Sequence, residues 1–334
     1  MHMDHIYESY IDARANISSI ENVVSHIFDD VETLSCGSGI SGIPSGFVCI
    51  DRITGGWQNG DLIVIGGFQG AGKTSLALNF ARNAAVDFHI PVLVVSIDSG
   101  KQNLVRKLLV AETGLSTSKF NGTDKLEPYE WEKMECSAKN LAKAPLNFED
   151  RARLETEDIG KIIYESIKKD GTKLVIVDSL NLVQSAIEYR GNREQEVSSI
   201  SRELKRIARE LDLPLITTCQ LSRSAKTRQE NTGNRRLRLS DIRETASIEY
   251  DADIVIMINS NEISGISESY EDSSNAQLEI AKNRHGETGV FDVRFCKEEC
   301  KFKEIEDFFD GECIASSMSL ESDDFSGNTP KDFE

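Results

Sequence analysis

The chain has 334 residues and a formal net charge of −18. This length can bury one large α/β domain with extensions or two smaller domains. The acidic balance excludes a uniformly basic nucleic-acid coat, although it permits a local basic groove. No segment has the length and apolarity of a membrane span, and the start lacks a signal-peptide core. We therefore expect a cytoplasmic protein without a membrane partner.

The seven cysteines are scattered along the chain and odd in number, as is typical of reduced intracellular thiols. Cys296 and Cys300 are four residues apart. No second pair and no nearby histidine completes a zinc site with them, so we predict no zinc there.

The N-terminal segment, residues 1–40, carries helical periodicity between 17 and 27. Its apolar stripe consists of Ile17, Ile20, Val23, Val24 and Ile27. A glycine- and serine-containing stretch, 35–39, follows. The pattern predicts either a docking helix on a flexible tether or a helix that packs on the chain's own core. We expect the main domain to cover residues 41–309.

A P-loop runs from Gly67 to Thr74, between the apolar run 62–65 and a helical pattern. A strand that leads into a glycine-rich turn and a helix N-terminus presents main-chain amides to phosphate. Lys73 is expected to neutralise the β- and γ-phosphates of ATP, and Thr74 to coordinate Mg2+. The predicted nucleotide-binding residues are Gly67, Gly70, Ala71, Gly72, Lys73, Thr74, Ser75 and Asp178.

Continuous apolar runs predict further strands at 91–98, 174–178, 213–218 and 254–258. Runs of this kind are typical of strands buried on both faces. Helical segments separate several of them, which predicts an α/β fold with a mostly parallel sheet and helices on both faces. Ligands of such sheets bind at the carboxyl ends of the strands.

Three polar residues lie at the ends of these predicted strands: Asp98 and Asp178 end two of them, and Gln220 follows the strand 216–219. Asp178 can hold Mg2+ directly or through water. Asp98 can act as the general base toward the attacking water. Gln220 can sense the γ-phosphate through its amide. Each residue alone could equally be a strand-end cap, but together they favour a nucleotide-hydrolysing site.

A local excess of positive charge extends from Arg190 to Arg243, where thirteen Lys and Arg stand against seven Asp and Glu. This basic strip is either a solvated helix face or a surface that binds a polyanion. Arg190, Arg193 and Arg223 are among the cations of this strip that could bind a polyanion.

Alternating strands from Gln277 to Phe295 flank a turn at His285-Gly286, which predicts a hairpin. Lys282 and Arg284 project from one edge of it at a spacing of two. They are either solvated or reach the nucleotide of a neighbouring subunit as fingers. The acidic, serine-rich residues 310–334 predict a disordered tail.

From about Ser18 to Phe309 the sequence resembles the C-terminal motor domain of DnaB-type replicative DNA helicases, a RecA-like ATPase. Residues 41–52 resemble the family's opening motif, and 174–182 resemble its Walker B strand. The segments 203–223, 239–253 and 282–289 resemble, in turn, its third motif, its DNA-facing fourth motif and its finger hairpin.

The resemblance implies a homohexameric ring that hydrolyses ATP at subunit interfaces and translocates on single-stranded DNA. By position, Arg243, Glu244 and Ala246 would lie on one DNA-binding loop, and 185–193, with Arg190 and Arg193, would form the other. Arg223, at the end of the third motif, would be a further DNA-binding residue. The helix 18–29 would dock on the adjacent subunit. A loader or other replication proteins would be further partners.

The sequence departs from the family pattern at two points. Asp98 stands where the family usually has a glutamate, and a base displaced by about 1 Å can slow a reaction on the order of a hundredfold. The N-terminal helical domain of full-length members, about 150 residues long, has no counterpart in this sequence. Contacts with primase through that domain are therefore not implied.

Three functional hypotheses follow. The leading one is an ATP-driven DNA helicase motor. The alternative is a RecA-superfamily switch that assembles on DNA or a partner without unwinding, which Asp98 and the acidic balance favour. The third is a nucleotide-binding scaffold without useful turnover.

Overall fold

The computed structural model describes most of the chain between residues 40 and 305. The described residues are Ile20, Val24, Phe28, 40–185, 189, 192–222, 224–225, 227–228, 237–242, 246–260 and 275–305, with the backbone alone at 246 and 260. The chain divides into a unit that ends at Glu304 and a second that begins at Ile305. The predicted tail 310–334 and most of the N-terminal segment lie outside the described residues.

A single sheet contains all nine strands of the described residues, in the order β3-β2-β4-β5-β1-β6-β7-β8-β9. The strands are β1 Leu62–Gly67, β2 Val92–Ser96, β3 Leu146–Glu149, β4 Leu174–Asp178, β5 Leu215–Gln220, β6 Ile254–Ser260, β7 Asn275–Asn283, β8 Gly289–Cys296 and β9 Lys301–Glu304. Strands β1 to β6 pair in parallel, and β7, β8 and β9 continue the sheet in antiparallel pairs.

Helices connect most of the parallel strands. They are α1 Val48–Thr54, α2 Lys73–Arg82, α3 Lys101–Thr113, α4 Thr117–Phe120, α5 Pro128–Lys143, α6 Thr156–Asp170, α7 Arg193–Leu211 and α8 Ala246–Asp251. A π-helical turn, Asn83–Asp87, prolongs α2, and a 3₁₀ turn, Leu180–Leu182, follows β4. Among the residues described, none of the helices is both long and apolar enough to cross a bilayer.

The sheet separates two hydrophobic cores, and β1 shows why its sequence is apolar without interruption. Ile63 and Ile65 face one core, which α2 and α3 cover, whereas Leu62 and Val64 face the other, which α6 and α7 cover. Successive side chains of a strand point to opposite faces, so a strand covered on both faces needs an apolar residue at every position. The predicted α/β fold is confirmed.

The structure also shows which elements the sequence patterns missed. The strand predicted to reach Asp98 stops at Ser96, so Asp98 lies in the turn beyond β2. The short, half-buried β3 and the edge strand β9 were not predicted. The hairpin of β7 and β8 is present, with the predicted turn at 284–288 between its strands.

Candidate active site

The carboxyl ends of β1, β4 and β5 lie side by side and form what we call the P-loop edge of the sheet. In the parallel register Gly67 of β1 is opposite Gln220 of β5, and Asp178 of β4 is opposite Ser96 of β2. The P-loop leaves β1 at this edge and enters α2. Strand order therefore brings the P-loop, Asp178 and Gln220 together.

Two glycines of the P-loop have left-handed backbone conformations, with φ of 83° at Gly70 and 92° at Gly72. A Cβ at Gly72 would also lie 2.8 Å from the ring of Phe295 and 2.9 Å from that of Phe302. These two rings are stacked, with centroids 4.3 Å apart. Both backbone conformation and space therefore require glycine at position 72.

Helix α2 begins directly after Gly72 and is ten residues long, with no side-chain cap among the described residues. Its first amides are therefore directed toward the loop, where an anion can accept their hydrogen bonds. The side chains of Ala71 and Ser75 are buried. These two predicted site residues would therefore donate hydrogen bonds to a phosphate through their main-chain amides and not through their side chains.

Lys73 folds over the P-loop, where its Nζ donates to the carbonyl oxygens of Gly67 at 3.0 Å and Phe68 at 2.9 Å. Burial lowers the pKa of Lys73, and the nearby Cys219, Asp178 and Asp98 oppose that shift. The ammonium is thus partly desolvated and held over the loop, an arrangement in which an anionic phosphate is a strong partner.

Asp178 is almost fully buried and accepts hydrogen bonds from two hydroxyls. Thr74 Oγ1 donates to its Oδ2 at 2.8 Å, and Thr218 Oγ1 donates to its Oδ1 at 2.5 Å. A hydroxyl and a carboxylate are hard oxygen ligands, and Mg2+ in nucleotide sites uses one or two of them besides phosphate and water. Thr74 and Asp178 are therefore the residues that could hold Mg2+.

Two residues that support this site were not predicted as site residues. Thr218 orients Asp178, and Asn181 Oδ1 accepts a hydrogen bond from the main-chain N–H of Gln220 at 2.9 Å. For both Thr218 and Asn181, the only hint in the sequence was a polar residue among apolar neighbours. Their partners are 40 and 39 residues away in the sequence, so local patterns could not supply them.

Asp98 is exposed in the turn after β2. The turn is fixed by Ser96, whose Oγ donates to the Ser99 carbonyl at 2.8 Å and accepts from the Ser99 N–H at 3.2 Å. Asp98 lies two residues beyond Ser96, which is opposite Asp178 in the register of β2 and β4, and its charge opposes the lowering of the Lys73 pKa. Its role as a general base stays a prediction.

Lys282 and Arg284 lie at the opposite edge, at the amino ends of β1 and β6, which we call the finger edge. Lys282 Nζ donates to the carbonyl oxygens of Glu249 at 2.5 Å and Ala252 at 2.6 Å, at the end of α8. Burial and the neighbouring Arg284 lower the pKa of Lys282. Arg284 Nη1 donates to Asp253 Oδ1 at 3.2 Å, and its Nη2 donates to the Tyr250 carbonyl.

Asp253 joins the finger edge to β1. It is 3% exposed, and its Oδ2 accepts from the Leu62 N–H at 2.8 Å and from Lys205. Leu62 and Gly67, the first residue of the P-loop, are the two ends of β1, and five residue steps at the usual rise place them about 16 Å apart. Lys282 and Arg284 are therefore not brought together with the P-loop of their own chain.

Only part of the basic strip is described. Arg190, Arg223, Arg243 and Glu244 lie outside the described residues, and Ala246 is the first residue of α8. Arg193 begins α7, donates to the Asn181 carbonyl at 2.6 Å and pairs with Glu196 at 2.7 Å.

The strip's remaining cations on α7 include two that are already paired. Arg206 binds Glu203 and Glu210 on the same helix, and Lys205 binds Asp253. Local ion pairs therefore account for part of the positive charge counted in the sequence.

Comparison with known proteins gives a family match over most of the chain. The family model described as DnaB-like helicase C terminal domain matches residues 42–304. The replicative DNA helicase DnaB of Geobacillus stearothermophilus is 36% identical over 293 residues, which cover 87% of this chain and 63% of the relative. The replicative DNA helicase DnaC of Bacillus subtilis is 35% identical over 301 residues, 89% of this chain and 65% of the relative. The chain thus spans less than two thirds of either relative.

Two solved structures have the same fold. An ATPase domain superposes with a TM-score of 0.79 at 30% identity, and the match covers 87% of this chain and 100% of that domain. A DnaB-like replicative helicase, solved in a study of its interactions with primase, superposes with a TM-score of 0.76 at 29% identity. That match covers 87% of this chain and 68% of the helicase.

Proposed function

Because this chain belongs to the DnaB-like helicase C-terminal domain family, we propose that it is an ATP-driven DNA helicase motor. ATP with Mg2+ binds at the P-loop edge, hydrolysis occurs between subunits of a homohexameric ring, and the ring translocates on single-stranded DNA. The observation that carries this proposal is the separation of the two edges: the P-loop edge and the finger edge lie about 16 Å apart across β1.

This separation leaves one subunit with two half-sites. The P-loop edge supplies Lys73, Thr74, Asp178 and Gln220, and the finger edge supplies cations that a developing phosphate charge needs. A head-to-tail contact between identical copies joins the two halves, and such a contact generates a closed ring when its rotation closes. Single-stranded DNA in the ring fits the positive charge of the basic strip, because phosphate contacts track a strand without selecting its sequence.

Each residue of the P-loop edge then has a definite task. The α2 amides and Lys73 bind and orient the phosphates, and Thr74 and Asp178 hold Mg2+. When bound, Mg2+ neutralises charge on the phosphate oxygens. Asp98 accepts a proton from the attacking water, and the Gln220 amide orients that water or the γ-phosphate.

Asp98 favours a second candidate function, that of an ATP-dependent switch. Its carboxylate is one methylene shorter than the glutamate that the family resemblance implies at this position, and it lies in an exposed turn. A poorly placed base slows hydrolysis, so that ATP binding alone would change the protein's state. That protein would be an ATP-dependent switch on DNA or on a partner, without unwinding.

Steady-state ATP hydrolysis with and without single-stranded DNA, over a salt series, tests the motor. We expect stimulation by DNA that fades as salt rises, because phosphate contacts release counterions. ATP binding without any DNA-responsive hydrolysis would overturn the motor in favour of the switch.

Mixing two inactive variants tests the shared site. Lys73→Ala removes the phosphate-binding half, and Arg284→Ala removes the finger half. Random mixing in equal amounts restores up to about one quarter of the interfaces if the halves belong to different subunits. A mixture that stays inactive, while both variants still assemble, would contradict a site between subunits.

A further inference from the structure

The main-chain pairing of β4 and β5 ends before the two strands do. Their register runs from Val175 with Leu215 to Val177 with Thr217. Beyond that point side chains join the strands: Thr218 Oγ1 donates to Asp178, and Asn181 Oδ1 accepts from the Gln220 N–H. The last residue of β5 is thus held by a side chain from the 3₁₀ turn Leu180–Leu182.

Asn181 has a second contact on its other side. Its main-chain carbonyl accepts from Arg193 Nη2 at 2.6 Å. Arg193 is the first residue of α7, and Glu196 on the next turn also holds its guanidinium, at 2.7 Å. One residue therefore touches both the end of β5 and the start of α7.

These contacts lie next to the predicted catalytic groups. Asn181 is three residues after Asp178, and Gln220 is opposite Gly67 in the β1 register. The N–H of Gln220 has its partner in Asn181, so the direction in which the Gln220 side chain leaves the strand depends on this bond. An amide that loses its partner moves or binds water instead.

We propose that Asn181 is a positioning residue that holds Gln220 in place for hydrolysis and makes that placement responsive to Arg193. This inference rests on the proposed function, in which Gln220 acts at the γ-phosphate and the basic strip that includes Arg193 binds DNA. A DNA phosphate can accept two hydrogen bonds from one guanidinium. When Arg193 binds a phosphate in this way, its hydrogen bond to the Asn181 carbonyl weakens or breaks. The position of Asn181, and with it that of Gln220, then reports whether DNA is bound.

Three variants test the positioning role. Asn181→Leu keeps the approximate shape of the side chain and removes the acceptor. Asn181→Asp keeps the acceptor oxygen, and Asn140→Leu, on the exposed surface of α5, is the matched control. The measurements are kcat and KM for ATP with and without single-stranded DNA, affinity for a fluorescent ATP analogue, and the melting temperature.

We expect Asn181→Leu to lower the DNA-stimulated kcat at least about tenfold, because a small displacement of a catalytic amide is costly. Its nucleotide affinity should stay within about twofold of the wild type, since the P-loop and Asp178 are intact. Asn181→Asp should retain kcat within about threefold, although its added charge weakens nucleotide affinity. Wild-type kcat and DNA stimulation in Asn181→Leu would overturn the proposal.

Hydrogen exchange of the peptide 215–222 decides the structural part without relying on activity. The Gln220 amide should exchange faster in Asn181→Leu than in the wild type or Asn181→Asp, each bound to a non-hydrolysable ATP analogue. Unchanged exchange would overturn the proposal. Absence of DNA stimulation in the wild type itself would instead overturn the proposed function, so the two failures are distinguishable.

Discussion

The P-loop edge and the finger edge hold their cations in different ways. Lys73 is fixed by residues of its own loop, within six positions of the chain, whereas Lys282 and Arg284 are fixed by carbonyls and a carboxylate at least 30 positions away. A short motif can therefore specify how the P-loop edge holds its cation. The second edge exists only after α8 and β6 have packed against the hairpin, so its geometry follows from the fold.

Removing the cation of the P-loop edge should have the largest effect. We expect Lys73→Ala to lower ATP hydrolysis by more than about a thousandfold, because the phosphates lose their nearest charge. Hydrolysis and binding of a fluorescent ATP analogue measure the loss. Lys139→Ala, whose side chain is 67% exposed on α5, is the control. Normal turnover in Lys73→Ala would show that the P-loop edge is not part of the catalytic site.

The finger edge should show a smaller effect confined to turnover. Arg284→Ala should lower kcat at least about a hundredfold, since a finger stabilises charge that develops during the reaction. ATP affinity should stay within about threefold, because the nucleotide is bound by the other edge. Arg294→Ala, exposed on the neighbouring strand β8, is the matched control. An equal loss of affinity and kcat would show that the two edges do not divide these roles.

Lengthening the carboxylate at position 98 tests how closely the P-loop edge places its general base. We expect Asp98→Glu to raise kcat by about threefold to tenfold, because the longer side chain approaches the attacking water. Single-turnover hydrolysis measures the chemical step, and Asp170→Glu at the exposed end of α6 is the control. A fall in kcat would indicate that the turn after Ser96 already fits an aspartate.

The smallest effect concerns pH. Burial lowers the pKa of Lys73, so its neutral form appears at a lower pH than in an ordinary lysine. Since the cation binds phosphate, nucleotide affinity should be complete below the lowered pKa and fall as pH rises through it. We expect a loss of about threefold over one pH unit in that range. Titration with a fluorescent ATP analogue measures it, and circular dichroism checks that the fold persists. Affinity that is constant up to the ordinary lysine pKa would contradict the shift.

Much of the fold was predictable because the parallel strands are buried on both faces. Their mostly apolar runs differ from the helical patterns that separate them, and β4 was predicted with its observed ends, Leu174–Asp178. The half-buried β3 carries no such signal, since Leu146 and Phe148 alternate with polar residues over only four positions. Sequence patterns fail where a strand is short and its burial depends on neighbours.

The candidate site was predictable where its residues follow from a local pattern. The P-loop, Asp178 and Gln220 follow from motif and strand-end position, which the sheet then brings together. Thr218 and Asn181 act through hydrogen bonds between strands that are distant in the chain, and the contacts of Arg284 depend on where α8 ends. Such contacts require the three-dimensional arrangement.

A side chain at position 72 would not fit, because the rings of Phe295 and Phe302 lie directly against Gly72 of the P-loop. These rings belong to β8 and β9, and β8 is paired with β7, the strand that ends beside the finger residues. The main-chain N–H of Phe302 also donates to Asn79 Oδ1 of α2 at 2.7 Å. The β7–β8 hairpin thus contacts its own subunit's P-loop near one end and carries Lys282 and Arg284 near the other. In the proposed ring, this hairpin would therefore connect a subunit's own phosphate site directly to the site that its finger residues reach.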